Sequence, residues 1–130
     1  MKTAICTPDA PAAIGPYSQA IAAGDTVYVS GQLPIDPATN AFAGDDISAQ
    51  TRQSLENIRA ILAQVGMDLS NVVKTTVLLD SIGDFSAMNE VYAEFFREPY
   101  PARAAFEVAS LPRSAKIEIE VIAVRSGDRS

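Results

Sequence analysis

The segment Lys116–Val124 reads Lys-Ile-Glu-Ile-Glu-Val-Ile-Ala-Val, and its alternation predicts a strand with one fully aliphatic face. Because successive strand residues point to opposite faces of a sheet, Glu118 and Glu120 share the second face. A carboxylate at the border between wet and buried surface can hold a water molecule and act as a general base. A solvated edge of the sheet explains the same pattern, and the residues alone favour that simpler interpretation.

Arg103 is the second residue that could carry chemistry. It follows the tripeptide Tyr-Pro-Ala and precedes two alanines, so its small neighbours would let a guanidinium reach inward. A guanidinium donates two parallel hydrogen bonds and is well suited to clamp a carboxylate. The alternative is a surface ion pair with Glu107 or Glu118, which would contribute little to stability. The residues alone support both interpretations equally.

Four further positions give weaker indications of a binding site. Tyr17 and Ser30 carry hydroxyl groups that could donate to a ligand, although a tyrosine on a strand usually serves packing. Gly31 would permit close approach to its backbone N–H. Asn89 lies three residues before Tyr92, which would place a polar group at the edge of an apolar helix face.

The residue inventory excludes several kinds of site. The chain has no histidine and one cysteine, Cys6. Catalysis by Ser-His-Asp or Cys-His groups, an internal disulfide and a thiolate zinc site are therefore excluded. The remaining chemistry rests on Arg, Lys, Glu, Asp, Tyr and Ser side chains, backbone groups and water. We expect neither a metal nor an organic cofactor.

Charge and hydropathy restrict the partners. Ten basic and sixteen acidic residues give a net charge of −6, and the basic residues are scattered without a run, so nucleic-acid binding is disfavoured. No apolar run is long enough for a transmembrane helix, and the start of the chain lacks a signal-peptide pattern. These features, with the lack of a disulfide, predict a soluble protein of the cytoplasm.

The length of 130 residues predicts one domain over residues 1–130. Proline and glycine separate short elements, which we predict from periodicity and from turn residues. The predicted elements are strands at 17–23 and 27–30, a loop at 34–46, a helix from Ser48 to Gly66, a strand at 72–79, a helix at 84–97, and strands at 103–109 and 116–124.

These elements predict an α+β fold in which one mixed sheet carries both helices on one face. Ser48 is the expected N-cap of the first helix and Gly66 its terminating glycine, while Asp84 is the expected cap of the second. The other face of the sheet is too apolar to meet water, so we expect self-association.

Several ordered segments together resemble one known family, the reactive intermediate deaminases, also called the RidA/YjgF or L-PSP endoribonuclease family. They include Gly-Pro-Tyr-Ser-Gln, Val-Ser-Gly-Gln-Leu-Pro, Tyr-Pro-Ala-Arg and Lys-Ile-Glu-Ile-Glu. The segments that carry the resemblance span 10–19, 29–34, 50–58, 72–79, 100–103 and 111–124. Their order along nearly the whole chain makes the match far more specific than any one motif.

The resemblance implies a chorismate-mutase-like fold that forms a homotrimer with clefts between subunits. It implies hydrolysis of 2-aminoacrylate and related enamines or imines to 2-keto acids and ammonia. Arg103 would bind the substrate carboxylate and Glu118 would position the attacking water. The residues implied to line the cleft are Tyr17, Ser30, Gly31 and Asn89.

One departure from the family pattern concerns the strand after Arg103. Relatives have Pro-Ala-Arg-Ser-Cys-Val-Glu-Val, whereas this chain has Pro-Ala-Arg-Ala-Ala-Phe-Glu-Val. The cleft cysteine is thus replaced by Ala105, and Phe106 is bulkier than the family valine. Imine hydrolysis needs a held water and a charge clamp rather than a thiol. Ala105 would then supply its backbone N–H and extra volume, so substrate range is expected to change more than activity.

Three other functions stay open from the sequence. One is the ribonuclease or translation-inhibitor activity attached to the family name, which the net charge of −6 and the missing histidines oppose. Another is a non-catalytic trimer that binds small carboxylates. The last is a dedicated catabolic deaminase, for example of aminomuconate.

Overall fold

A computed structural model of the protein describes residues 1–126; the last four residues of the predicted domain lie outside the described range. The elements are β1 (Lys2–Ile5), β2 (Ala20–Ala23), β3 (Thr26–Gln32), β4 (Ile35–Asp36), β5 (Ala41–Phe42), α1 (Ile47–Ala63), β6 (Val72–Leu79), α2 (Phe85–Phe95), β7 (Ala102–Glu107) and β8 (Ile117–Val124).

Six of the strands form one mixed sheet in the order β1-β2-β3-β8-β6-β7. The pairing of β6 with β7 is parallel, and α2 provides the crossover between them. The other neighbours in the sheet are antiparallel. The strands β4 and β5 form a separate two-stranded ribbon. The predicted α+β fold with a mixed sheet is confirmed.

Both helices pack on the same face of the sheet, as predicted. On β8 the helix-facing residues Ile117 and Ile119 are fully buried, and on α1 Leu55 and Ile58 are too. On β6 the buried Thr75 bonds to Tyr92 of α2, which fixes the second helix above the same face. Burial of such aliphatic side chains contributes about 25 cal/mol per Å² of apolar surface.

The opposite face of the sheet, hereafter the open face, carries large apolar side chains. Tyr28 is 50% exposed and Phe106 is 47% exposed, and their cross-strand partners are Ile122 and Leu78. The expected burial of this face against other copies stays a prediction. Among residues 1–126, no helix has the length and apolar character needed to cross a membrane.

The predicted cap of α1 is wrong, and the predicted cap of α2 has the right position but makes no capping hydrogen bond. The N-cap of α1 is Asp46 rather than Ser48, because the extended Asp46 accepts the backbone N–H of Ala49 at 2.7 Å, while Ser48 already lies within the helix. Asp84 does precede α2, but its side chain makes no capping bond. It ends a turn of 3-10 helix that begins after Ser81, so it is not in the extended conformation of a capping residue.

The predicted ends of the two helices have different outcomes. Regular α1 stops at Ala63, and Gly66, with a φ of +75°, donates its N–H to Ala63 O while Met67 N–H donates to Leu62 O. This is the bonding of a terminating glycine, so the prediction for Gly66 is confirmed. The helix α2 stops at Phe95 because Phe96 is already extended, ahead of the two prolines expected to end it.

Local patterns missed three short strands. The strand β1 pairs with β2 at the edge of the sheet, and β4 and β5 lie within the predicted loop 34–46. These pieces are two to four residues long, too short for a periodic signal. The first predicted strand begins at Ala20 rather than Tyr17, since the backbone turns where Tyr17 N–H donates to Gly15 O.

The turn before β8 holds two consecutive non-glycine residues in the left-handed region. Arg113 has a φ of +58° and Ser114 a φ of +59°. A side chain in this conformation places Cβ too close to the following carbonyl oxygen, at a cost of about 1–2 kcal/mol per residue. The turn is therefore strained at both positions.

Replacing the exposed Ser114 by glycine should relieve this strain. We expect Ser114→Gly to raise the free energy of unfolding by up to about 1 kcal/mol, the relief being offset in part by the entropy of a flexible glycine in the unfolded chain. Urea denaturation measures the difference. Ser114→Ala keeps a Cβ and is the control, and an equal gain from alanine would contradict the strain argument.

Candidate functional site

Arg103 lies on β7 at the edge of the sheet, with its guanidinium beside α2. Its Nη1 donates to Oδ1 of Asn89 at 2.7 Å. The guanidinium carbon lies 4.7 Å from the ring centre of Tyr92 and 5.4 Å from that of Phe85. Among the described residues Arg103 forms no ion pair. The predicted alternative, an ion pair with Glu107 or Glu118, is therefore wrong.

The three contacts of Arg103 come from one stripe of α2. Phe85, Asn89 and Tyr92 are spaced at i, i+4 and i+7 and so lie on one side of the helix. This places Asn89 at the polar edge of an apolar helix face, where the spacing predicted it.

Tyr92 is held from below by the sheet. Its hydroxyl lies 2.8 Å from Oγ1 of Thr75, which is fully buried. Burial raises the pKa of the Tyr92 phenol, which keeps the hydroxyl neutral and able to share a proton with Thr75. The sequence indicated Tyr92 only as a core residue, because the partner on β6 is seventeen positions away.

A cavity of about 460 Å³ opens beside the guanidinium, within the range of small-molecule sites. It is lined by Asn89, Tyr92, Ala93, Tyr100, Pro101 and Arg103. Ala105 is partly buried two residues beyond Arg103 on the same face of β7. Phe106 points to the open face. Its cross-strand neighbour Leu78 on β6 pairs in turn with Glu118 on β8, so Phe106 and Glu118 lie on the same face of the sheet.

A second cluster forms on the open face around Gly31 and Glu118. The pairing of β3 with β8 shifts register between Val29 and Gln32, as a β-bulge does. A Cβ atom on Gly31 would lie 2.5 Å from Oε2 of Glu118, closer than real Cβ contacts. The carboxyl group therefore packs directly against the Gly31 backbone, and only glycine leaves it that space.

Ser30 and Tyr17 lie near the bulge at Gly31 and the carboxyl group of Glu118. The Ser30 hydroxyl donates to the Ser18 carbonyl oxygen at 2.6 Å, and the Ser30 N–H donates to Gln19 O. Tyr17 is 55% exposed and lines an open cavity together with Ser30 and Glu120. The Ser30 hydroxyl is thus engaged in holding the segment before β2, and that segment carries Tyr17.

The buried side chain of Gln19 fixes the same segment. Its Oε1 accepts the Thr7 N–H at 2.7 Å, and its Nε2 donates to Pro11 O at 2.7 Å. No sequence pattern pointed to this role of Gln19. A buried glutamine that satisfies several backbone groups of a proline-rich loop leaves no periodic signal, and only its position next to Tyr17 and Ser18 hinted at a role.

The electrostatics of Glu118 differ from those of a surface glutamate. Partial burial, and secondly the neighbouring Glu120, raise the pKa of the Glu118 carboxyl. A raised pKa makes the ionised carboxylate a stronger base. Glu120 itself is exposed, so Glu118 is the carboxylate that is placed for chemistry.

The two clusters lie on opposite faces of the sheet. Arg103 aligns with the helix-facing Thr75, whereas Glu118 alternates with the helix-facing Ile117 and Ile119. A single chain thus brings Arg103 together with Asn89, and Glu118 together with Gly31. It does not bring Arg103 and Glu118 to one cavity.

Comparisons with known proteins identify the family to which the chain belongs. The family model described as Endoribonuclease L-PSP matches residues 7–125. The RutC family protein y4sK of Sinorhizobium fredii is 57% identical over 118 residues, 91% of this chain and 94% of that protein. A Salmonella typhimurium protein named 2-iminobutanoate/2-iminopropanoate deaminase is 51% identical over 128 residues, covering 96% of this chain and 99% of the relative.

The fold has a close match among solved structures. The structure of E. coli TdcF with bound serine aligns with a TM-score of 0.90 at 44% identity, covering 95% of this chain and 99% of that chain. Both the extent of the family match and these identities exceed what a shared fold alone would give. The chain therefore belongs to the Endoribonuclease L-PSP family, also called RidA/YjgF, which its motifs resemble.

Proposed function

We propose that this protein hydrolyses 2-imino acids, and the enamines in equilibrium with them, to 2-keto acids and ammonia. The observation that carries the proposal is the guanidinium of Arg103, which is held by Asn89 and two rings and borders a cavity of about 460 Å³. The deaminase name of the Salmonella relative, 51% identical, supports this substrate class. The serine bound to TdcF is likewise a small molecule with a carboxylate.

The proposed site is shared by two copies of the chain. Arg103, Asn89 and Ala105 would come from one copy, and Tyr17, Ser30, Gly31 and Glu118 from the next. Because the two halves occupy different faces, the proposed contact between copies is head-to-tail, and contacts of this kind form a closed ring when the rotation from copy to copy closes. The apolar open face, with Phe106 47% exposed, provides surface for the contact. The family resemblance implies a ring of three.

The proposed reaction follows from the chemistry of the two halves. Arg103 binds the carboxylate of the substrate, which fixes the position of the adjacent C=N carbon. The substrate reacts as its protonated imine. A water held by Glu118 bonds to that carbon through its oxygen while the C=N electron pair moves to the cationic nitrogen, and Glu118 accepts a proton from the water. The proton then passes to the nitrogen of the carbinolamine. The C–N bond breaks, ammonia leaves with its electron pair, and the hydroxyl becomes the keto oxygen as Glu118, again ionised, accepts its proton.

The first test is an assay with 2-aminoacrylate generated in place by a serine lyase. We expect the protein to accelerate the loss of imine absorbance and Arg103→Ala to abolish that acceleration, because the substrate loses its anchor. Arg52→Ala is the matched control, since Arg52 is an exposed arginine paired with Glu94 at 2.9 Å. Acceleration that survives Arg103→Ala would overturn the clamp.

Three further measurements separate the other functions. Binding of 2-oxobutanoate in calorimetry without imine turnover would favour a non-catalytic carboxylate binder. RNA cleavage that persists through repurification and is lost in Arg103→Ala would favour the ribonuclease. Turnover confined to aminomuconate would indicate a dedicated catabolic deaminase.

Mixing two inactive variants tests whether the site is shared. Arg103→Ala and Glu118→Gln are each expected to be inactive alone. After denaturation and refolding together they should regain part of the wild-type activity, because some contacts in a mixed ring pair an intact Arg103 with an intact Glu118. No recovery in rings that mass spectrometry proves mixed would contradict a site shared between copies.

The pH dependence tests Glu118 as the base. Only the ionised carboxylate can accept a proton, so kcat/KM should fall as the pH drops through the raised pKa of Glu118, above the usual glutamate value of about 4.3. A rate profile that stays flat down to that value would argue against this role.

The stability of Glu118→Gln provides an independent check. A raised pKa means that the folded state binds the proton more tightly, so this group favours folding at low pH and loses that contribution as the pH rises through its folded pKa. Glu118→Gln should therefore be more stable than wild type at pH 7, and the difference should shrink in acid. Thermal unfolding at pH 7 and in acid measures the difference in stability. A variant less stable than wild type at pH 7 would contradict the conclusion that burial disfavours the ionised Glu118.

A further inference from the structure

We propose that Phe85, Asn89 and Tyr92 form a platform on α2 that sets the direction of the Arg103 guanidinium. Phe85 and Tyr92 are then positioning residues for substrate binding. The inference rests on the proposed function in that Arg103 is taken to hold a carboxylate. The inference adds that Arg103 binds the carboxylate effectively because its side chain is fixed before the substrate arrives.

The first element of the platform is the hydrogen bond to Asn89. Arg103 has five N–H donors, and the bond from Nη1 to Oδ1 of Asn89, at 2.7 Å, uses one of them. The remaining donors can serve a carboxylate from an edge of the guanidinium whose direction is already determined. A bidentate pair depends on that direction, because both N–H groups must meet both oxygens.

The second element is aromatic packing. The guanidinium carbon lies 4.7 Å from the Tyr92 ring centre and 5.4 Å from that of Phe85, inside the range of cation–π contacts. Arg103 is otherwise an exposed residue on an edge strand. An exposed arginine samples many rotamers, and contact with two rings restricts them.

The third element fixes the rings themselves. The Tyr92 hydroxyl bonds to the buried Thr75 at 2.8 Å, and Thr75 is the in-register neighbour of Arg103 on the adjacent strand. Thr75, Tyr92 and Arg103 therefore form a closed set of contacts between the sheet and α2. Phe85 is packed against the hydrophobic core, so neither ring can turn away freely.

The same helix provides a matched comparison. Phe95 is also partly buried and also lies under arginines, with Arg59 at 5.0 Å and Arg52 at 5.8 Å from its ring centre. Neither of these arginines belongs to the proposed site. Replacing Phe95 removes an equivalent ring–arginine contact without touching Arg103.

The test compares Phe85→Leu with Phe95→Leu. Loss of one cation–π contact should raise KM for 2-iminobutanoate roughly 3- to 10-fold in Phe85→Leu, with a smaller change in kcat. KM should change most because the carboxylate contact exists before and during the reaction. Phe95→Leu should leave KM unchanged. Phe85→Tyr keeps an aromatic ring and should have the KM of the wild type.

Two readouts separate this proposal from the proposed function. Calorimetry with 2-oxobutanoate should show the same weakening in Phe85→Leu and none in Phe95→Leu, without any need for turnover. In NMR spectra the Arg103 Nε–H signal should lie away from its random-coil position and move toward it in Phe85→Leu. A second variant, Asn89→Ala, should move the same signal and also weaken binding.

The platform is overturned if Phe85→Leu and Phe95→Leu change KM and 2-oxobutanoate binding equally, or if the Arg103 signal does not move in Phe85→Leu. If the protein turns over no imine, yet the NMR signal and 2-oxobutanoate binding respond to Phe85→Leu as expected, the platform stands and the proposed reaction fails. A response of the NMR signal alone, without any effect on binding, would show a packing role and also overturn the proposal.

Discussion

Strand residues alternate between the two faces of the sheet, and this alternation decides which functional side chains one chain can bring together. It sends Arg103 to the helix-covered face with Thr75 and sends Glu118 to the open face. No side-chain movement within one chain reverses this, because changing the face of a strand residue requires a shift of register along the whole strand. The proposed reaction therefore depends on the proposed assembly of copies.

Irregular segments are held near the proposed site by buried amide side chains rather than by regular pairing. Gln19 fixes the proline-rich lead-in beside Tyr17. In the same way Asn57 of α1 donates to Leu33 O and Ile35 O, which holds the chain just after the Gly31 bulge. A buried amide that loses such partners costs about 1–3 kcal/mol per unsatisfied group. These two residues thus help to hold in place the segments on either side of the Gly31 bulge.

Sequence patterns predicted those features of the fold that depend on residues close together along the chain. The alternation in 116–124 and the apolar stripes of both helices led to the correct layers, and the family motifs pointed to Arg103 and Glu118. The patterns did not predict that these two residues face apart, because this follows from how β7 and β8 each align with β6. The long-range partnership of Thr75 with Tyr92 was missed for the same reason. The strands β4 and β5 were missed because two residues are too few for a periodic signal. Asp46 replaced Ser48 as the helix cap because backbone conformation, not residue type alone, selects a cap.

The contact between Gly31 and Glu118 also restricts the order in which this protein can evolve. A side chain at position 31 would collide with the carboxyl group at 118, with Oε2 only 2.5 Å from the added atom. A lineage that keeps the carboxyl group in this position is confined to glycine at 31. One that adds a side chain at 31 must move the carboxyl group of residue 118 away from its present position. The two positions are therefore epistatic: what position 31 can carry depends on where the side chain at 118 lies.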